Sequence, residues 1–225
     1  MCGRYTLRHP QRLDPTVFGV NAWPVLAPRH NIAPGTAVLL VREIEGTRAA
    51  TMAQWGLIPS WATDPSIGDR LANARGETLA DMPSFRSAWK ARRALMPADG
   101  FFEWQKVAGA KTKQPWYVTM ADGAPFALGA LWESWRSPDG ATVISCCVIT
   151  TEPNALMQPI HERMPVIVPR SAWARWLGGA APEGAAPPSE LLAPHAVDGM
   201  TAWRVSTLVN APGREDARVV EPFAP

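Results

Sequence analysis

The sequence predicts an α+β fold dominated by antiparallel strands, arranged as a barrel-like pair of sheets with a few short flanking helices. Three observations carry this prediction. First, many short segments are apolar or alternate apolar with polar residues. Second, these segments are separated by Pro and Gly, which account for 23 and 17 of the 225 residues. Third, few stretches have helical periodicity. Since no internal repeat or linker between two packable halves is visible, we expect a single domain over residues 1–225.

The predicted strands share β-branched or aromatic residues and are bounded by turn-forming residues. In chain order they cover 36–44, 48–55, 94–96, 100–106, 116–120, 126–135, 142–150, 166–168 and 200–205.

Two segments are predicted to be helices. Over 84–93, apolar residues recur at i, i+3 and i+4, and another face is expected to carry a basic stripe (Arg86, Lys90, Arg93). Over 171–177, Ser171 is suited to cap the helix and Trp173, Trp176 and Leu177 mark its buried side. A short helix is expected to start at Ser189, after a predicted flexible loop over 178–188.

Composition excludes several classes of protein. Hydrophobic residues make up 47% and charged residues 19% of the chain, as in globular domains. Because no apolar run approaches the roughly 18 residues of a membrane span and no signal peptide is visible, we expect a soluble, cytoplasmic protein without a membrane partner.

The charged residues are distributed unevenly along the chain. Residues 1–113 carry 15 basic and 9 acidic residues, whereas 114–225 carry 7 basic and 11 acidic residues. This asymmetry is compatible with a basic face for an anionic ligand, or with ordinary solvated side chains.

The cysteines and histidines do not have the spacing of a metal site. Cys146 and Cys147 are neighbours in a predicted strand, so they point to opposite faces and are expected to be buried core residues. The chain has no CxxC motif, and its four histidines are far apart in sequence. We therefore predict no metal and no cofactor.

Cys2 follows the initiator Met1 directly. Removal of Met1 would leave a cysteine with a free α-amine beside its thiol, and both groups titrate near pH 8. Such an aminothiol can condense with an aldehyde to form a five-membered thiazolidine. The alternative is that the position of Cys2 is incidental.

Three polar segments offer partners for this chemistry. If 73–78 is extended, Asn73, Arg75 and Glu77 share one face. Glu103 lies among three aromatic residues, where a raised pKa would suit proton transfer, unless it points to solvent on an edge strand. His161 precedes a predicted strand and could be catalytic or a structural hydrogen-bonding residue.

Six short motifs occur in order along the chain. They are MCGRY at the N-terminus, NIAPG at 31–35, WGLIP at 55–59 with Trp61, NAR at 73–75 followed by Glu77 and Thr78, ADGFFEW at 98–104, and HERMP at 161–165. Together they resemble the SOS-response-associated peptidase (SRAP) family, whose members shield abasic sites in single-stranded DNA.

The resemblance implies a catalytic role for four residues. Cys2 would form the thiazolidine with the ring-opened sugar, and Asn73 would position the reacting N-terminal residue. Glu103 would move protons, and His161 would act on the sugar hydroxyl or in the reverse reaction. The family's peptidase activity would be self-removal of Met1, and a lyase activity is a further expectation.

The resemblance also implies a set of DNA-binding residues. Arg4, Arg75 and Arg163 would hold the phosphates that flank the lesion, and Pro34 and Trp61 would replace the lost base stacking. Trp61 and Trp104 are candidate stacking platforms, as in other single-strand binders. The expected partner is single-stranded DNA containing abasic sites, bound by a monomer.

Two other functions remain open on the sequence. One is an N-terminal-nucleophile amidohydrolase of the glutamine-amidotransferase type, which also begins Met-Cys-Gly and uses its α-amine as base. The other is a tryptophan-rich single-strand binding module with no covalent chemistry, whose binding would be labile to salt.

Overall fold

A computed structural model of the protein describes residues 2–178 and 185–223, and within them two sheets carry short helices. The strands are β1 (Arg4–Leu7), β2 (Arg29–Ile32), β3 (Ala37–Ile44), β4 (Thr47–Trp55), β5 (Asn73–Arg75), β6 (Arg93–Ala98), β7 (Gly100–Gln105), β8 (Gln114–Met120), β9 (Phe126–Arg136), β10 (Thr142–Thr151), β11 (Met164–Pro165) and β12 (Met200–Arg204). The α-helices are α1 (Pro15–Phe18), α2 (Arg86–Ala91) and α3 (Trp173–Leu177). Short 3₁₀ turns cover Pro10–Arg12, Pro65–Arg70, Gly76–Thr78, Arg170–Ala172, Ser189–Leu192, Thr207–Asn210 and Ala217–Val220.

Five strands close into a barrel in the order β10-β4-β3-β6-β9, because β9 pairs back with β10. All of these pairings are antiparallel except β4 with β10. The barrel fills with continuous apolar runs, and every residue of β6 is buried. Gly129 on β9 allows the Trp176 ring to approach, since an added Cβ would lie 2.9 Å from a ring carbon.

The second sheet has the order β12-β8-β7-β1-β2 and packs its apolar side against the same core as the barrel. Phe101 of β7 and Val118 of β8 belong to that shared core. Phe102 and Tyr117 point the other way, into a smaller cluster with residues of the C-terminal segment. The predicted α+β architecture with a barrel-like pair of sheets is therefore confirmed.

Several element predictions need correction. Only Ile167 of the segment 166–168 forms a bridge, with Leu128, and the strand lies earlier, at β11. The helix predicted over 84–93 ends at Ala91, so Arg93 starts β6. Arg93 is 7% exposed and donates hydrogen bonds to three backbone carbonyls, so its place in a solvent-facing basic stripe was wrong.

The remaining local expectations have mixed outcomes. Trp173, Trp176, Cys146 and Cys147 are buried as predicted, and a 3₁₀ turn begins at Ser189. Most of the loop predicted over 178–188 lies outside the described residues. Among the helices that the structure describes, none is long and apolar enough to cross a membrane.

Candidate active site

Glu103 is the buried carboxyl of the site. Strand alternation in β7 directs Phe102 into the C-terminal cluster and Glu103 to the opposite face, where only 1% of it is exposed. An edge-strand glutamate pointing to solvent is therefore excluded. Burial disfavours the charged carboxylate and raises the pKa of Glu103 to about 7, so acid and base forms coexist at neutral pH.

His161 lies beside this carboxyl, with its Nε2 3.7 Å from Oε2 of Glu103. Its Nδ1 lies between the two backbone groups of Arg163, accepting from the N–H at 3.1 Å and standing 3.2 Å from the carbonyl oxygen. A neutral ring can accept from that N–H, and a charged ring can donate to that carbonyl. Burial lowers the pKa of His161, which favours the neutral form at pH 7.

Cys2 reaches this carboxyl because β1 pairs antiparallel with β7. Arg4 is opposite Phe102, so the chain just before Arg4 runs beside Glu103. The Cys2 side chain is fully buried, and its Sγ donates to the Arg4 carbonyl at 3.8 Å. Burial, followed by the negative charge of Glu103, raises the pKa of the thiol, so the thiol stays protonated until a base removes its proton.

A cavity of about 490 Å³ opens onto Glu103 and His161; its lining residues are Arg4, Glu103, Trp104, Thr112, Lys113, His161 and Asn210. The Arg4 guanidinium carbon is 6.0 Å from the centre of the Trp104 ring. The indole N–H of Trp104 donates to Asn210 Oδ1 at 2.7 Å, which fixes the half-buried ring at the cavity wall. The site thus combines a buried acid–base pair with a guanidinium and an aromatic ring.

Asn73 and Arg75 lie on β5, which runs parallel to the end of β10. Asn73 is opposite Val148, and its Oδ1 is buried with no hydrogen-bond partner among the residues that the structure describes. The extended stretch ends at Arg75, and Glu77 belongs to the 3₁₀ turn that follows. The condition that 73–78 is extended is therefore met only over 73–75, and Glu77 does not continue the strand of Asn73 and Arg75.

Arg163 is held by a carboxylate and by the end of β10. Its Nη1 and Nη2 donate to the two oxygens of Glu77 at 2.6 and 2.9 Å, and Nη2 also donates to the Thr150 carbonyl at 2.7 Å. The backbone of Thr150 pairs with Arg75 of β5 on one side and with Pro165 of β11 on the other. Thr150 is therefore in contact with Arg75 through strand pairing and with the side chain of Arg163.

The other two predicted DNA-binding residues are Pro34 and Trp61. Pro34 is half-buried in the turn after β2, and Trp61 is 58% exposed in the segment after β4. Neither is among the residues that line the cavity described above. The loop that carries Trp61 is anchored by Trp135, whose indole N–H donates to the Ala62 carbonyl at 2.7 Å.

Three residues that line the cavity were not predicted from the sequence: Thr112, Lys113 and Asn210. The spacing of Lys106, Lys111 and Lys113 in a Gly-containing connection between two predicted strands was a usable signal. Asn210 carried no comparable signal, because its contact with Trp104 joins residues far apart in sequence.

In the described part of the chain, His, Cys, Asp and Glu do not form a group of three or more that could hold a metal ion.

Comparison with known proteins gives the family. The family described as SOS response associated peptidase (SRAP) matches residues 1–212. The chain belongs to this family.

Named relatives extend over nearly the whole chain. The chain is 37% identical over 228 residues to the abasic site processing protein YoqW of Bacillus subtilis, covering 98% of this chain and 99% of that protein. It is 29% identical over 242 residues to the mouse abasic site processing protein HMCES, covering 90% of this chain and 65% of that protein.

Solved structures share the fold. A protein from Bacteroides thetaiotaomicron superposes with a TM-score of 0.85 at 21% identity, covering 99% of this chain and all of that one. A protein from Bordetella bronchiseptica superposes with a TM-score of 0.76 at 27% identity, covering 91% of this chain and all of that one.

Proposed function

We propose that this protein processes abasic sites in single-stranded DNA by joining Cys2 covalently to the aldehyde of the ring-opened sugar. The observation that carries the proposal is Glu103, a buried carboxyl with a pKa of about 7, 3.7 Å from His161. Its charge also raises the pKa of the Cys2 thiol. Family membership and the names of the relatives supply the substrate class.

The first step is removal of Met1. Hydrolysis of the Met1–Cys2 peptide bond consumes one water and frees the α-amine of Cys2. Met1 lies outside the described residues, so the support for this self-cleavage is the family's peptidase name and the position of Cys2.

The second step condenses the aminothiol with the aldehyde. The amine nitrogen bonds to the aldehyde carbon, and one water leaves as the imine forms. The thiol sulfur then adds to the imine carbon, and its proton ends on the nitrogen. Glu103 suits both proton transfers, giving a proton to the departing hydroxyl and accepting one from the thiol, because both of its forms are populated near pH 7.

His161 and Asn73 assist this condensation. His161 has its Nδ1 oriented by Arg163 and is suited to exchange a proton with the sugar hydroxyl during ring opening or the reverse reaction. The buried, unpaired Oδ1 of Asn73 is suited to accept a hydrogen bond from the reacting amine.

The DNA strand is held by cations and aromatic rings. Arg4, Arg75 and Arg163 contact the flanking phosphates, and Arg163 keeps its Glu77 partner while it does so. Trp104 bounds the cavity around Glu103, and Trp61 is exposed enough to stack on a base. Pro34 does not line that cavity, so its contact is with a flanking nucleotide.

A denaturing gel tests the proposal. Incubation with an oligonucleotide carrying one abasic site should give an adduct that survives denaturation, while Cys2→Ala should give none. The matched control is the same oligonucleotide with a tetrahydrofuran spacer, which lacks the aldehyde. Mass spectrometry of the N-terminus should show the loss of Met1. An adduct formed equally well by Cys2→Ala would overturn the chemistry.

The role of Glu103 has its own test. Glu103→Gln keeps the shape of the side chain but cannot transfer a proton, so crosslinking should slow by about 10²-fold or more. Binding of intact single-stranded DNA should change little, and fluorescence anisotropy can measure it. Parallel loss of binding and crosslinking would instead indicate a folding defect.

A further inference from the structure

A second cavity adjoins the catalytic one. Its volume is about 500 Å³, and it shares Trp104, Lys113 and His161 with the cavity around Glu103. Beyond these shared residues it continues past Lys106, Pro153 and Pro159. We call this second cavity the lysine pocket.

The lining of the lysine pocket combines flat apolar surfaces with cations. The Trp104 ring and the two proline rings offer surfaces on which a planar group can pack. Lys106 and Lys113 are both exposed and oppose a single acidic lining residue, Glu162. Apolar surface beside ammonium groups fits a base joined to a phosphate.

The apolar wall of the pocket is fixed in place. Gln105 donates through Nε2 to the Pro159 carbonyl at 2.8 Å, which joins the end of β7 to the segment before His161. The Oε1 of Gln105 accepts from the indole N–H of Trp116 at 3.0 Å. With both ends of this amide engaged, the position of Pro159 relative to Trp104 is set before any ligand arrives.

We propose that the lysine pocket is a nucleotide subsite, which binds the nucleotide directly next to the abasic sugar on the same strand. The base packs between Trp104 and the prolines, and Lys106 and Lys113 bind its phosphate. This inference rests on the proposed function, since His161 joins the subsite to the lesion. If the subsite binds this neighbouring base, substrate choice depends on that base as well as on the abasic sugar that reacts.

The experiment measures noncovalent binding first, so that it does not depend on crosslinking. Single-stranded oligonucleotides carry a tetrahydrofuran spacer at the lesion, and a second spacer replaces the 5′ or the 3′ neighbour. For wild-type protein, loss of the base on one side should weaken binding by roughly 5- to 160-fold, the range that the stacking of one base on an aromatic ring corresponds to. Loss of the other base should have a smaller effect.

The protein variants are Lys106→Gln, Lys113→Gln and the double variant, with Lys111→Gln as the matched control. Lys111 lies on the same loop and carries the same charge, but it is not among the residues that line either cavity. Substitution of each pocket lysine should reduce the magnitude of the slope of log affinity against log salt concentration by about 0.7. In the double variant, removal of the neighbouring base should weaken binding by a smaller factor than in the wild type. Lys111→Gln should bind like wild type.

Two results would overturn the subsite. One is equal binding of the oligonucleotide that keeps both neighbouring bases and the two that each lack one of them. The other is a double variant whose DNA affinity and salt dependence equal those of Lys111→Gln. Crosslinking to the corresponding aldehyde-containing oligonucleotides is measured alongside. Absence of any adduct contradicts the covalent function alone, because the binding comparison still decides whether the pocket holds a nucleotide.

Discussion

At the scale of single residues, Glu103 combines a structural cost with chemical usefulness. Burial raises its pKa from an ordinary value near 4.5 to about 7, so the folded protein binds a proton that the unfolded chain releases between these pH values. The contribution of Glu103 to stability is therefore fully present below pH 4.5 and is lost as the pH rises through 7.

Glu103→Gln should remove this pH dependence. Between pH 4.5 and 8 the wild type should lose on the order of 3 kcal/mol of unfolding free energy relative to the variant. Urea denaturation at several pH values measures the difference. Glu162→Gln, which removes an exposed carboxylate beside the same histidine, is the control and should follow the wild type. Parallel pH profiles for wild type and Glu103→Gln would contradict the raised pKa.

Arg93 shows why a residue next to an element boundary is hard to place from sequence. The periodicity of 84–93 predicts a solvent-facing position, but the helix ends at Ala91 and the chain turns into β6. The guanidinium then donates to the backbone carbonyls of Trp176, Trp89 and Lys90. Local spacing has no information about the carbonyl from α3, which lies far away in sequence.

At the scale of elements, the pair Glu77–Arg163 joins the turn after β5 to the segment before β11. Arg163 also supplies both backbone groups that contact Nδ1 of His161. The pair therefore connects the edge of the barrel to the orientation of a proposed catalytic residue, and Glu77 acts as a positioning residue.

Glu77→Gln should affect crosslinking more than stability. Since the Glu77 side chain is 52% exposed, the unfolding free energy should fall by less than about 1 kcal/mol. The crosslinking rate should fall roughly threefold to tenfold and its pH profile should shift, because His161 is oriented less firmly. Glu190→Gln breaks the comparably exposed pair with Arg175 and is the matched control. Identical pH profiles for the two variants would contradict the positioning role.

The strands that sequence analysis missed are short and depend on distant partners. β1, β2 and β5 have four, four and three residues, too few for alternation to be recognised. β5 forms because it runs parallel to β10, more than 70 positions later. Longer strands such as β3, β9 and β10 were predicted because their own apolar patterns extend over many residues.

At the scale of the whole molecule, the site lies where the barrel and the second sheet are joined. The family resemblance predicts that Cys2, Asn73, Glu103 and His161 act together, and the structure brings Cys2, Glu103 and His161 into one neighbourhood. It could not predict that Asp99, inside the motif at 98–104, has a structural role. That role depends on backbone groups of Arg8 and His9, which no local pattern connects to it.

Asp99 connects the barrel to the second sheet. It lies between β6 and β7, is 3% exposed, and accepts from the Thr6 hydroxyl at 2.6 Å through Oδ1. Its Oδ2 accepts from the backbone N–H groups of Arg8 at 2.6 Å and His9 at 3.0 Å. The carboxylate therefore holds the chain after β1 against the connection between the two sheets.

Asp99→Asn should lower the Tm of the protein, because it weakens the contacts between the two sheets. The amide keeps only one oxygen, so its NH2 group, which cannot accept, faces either the two backbone N–H groups or the Thr6 hydroxyl, and buried donors without acceptors are costly. We expect a loss of about 3 kcal/mol, or roughly 6–12 °C in Tm. Thermal unfolding measures this loss, and crosslinking well below the transition should be retained. Asp122→Asn is the control, because its exposed carboxylate accepts from one N–H, that of Ala124 at 2.8 Å, and should shift Tm by only a few degrees. An equal Tm for the two variants would show that Asp99 does not join the sheets.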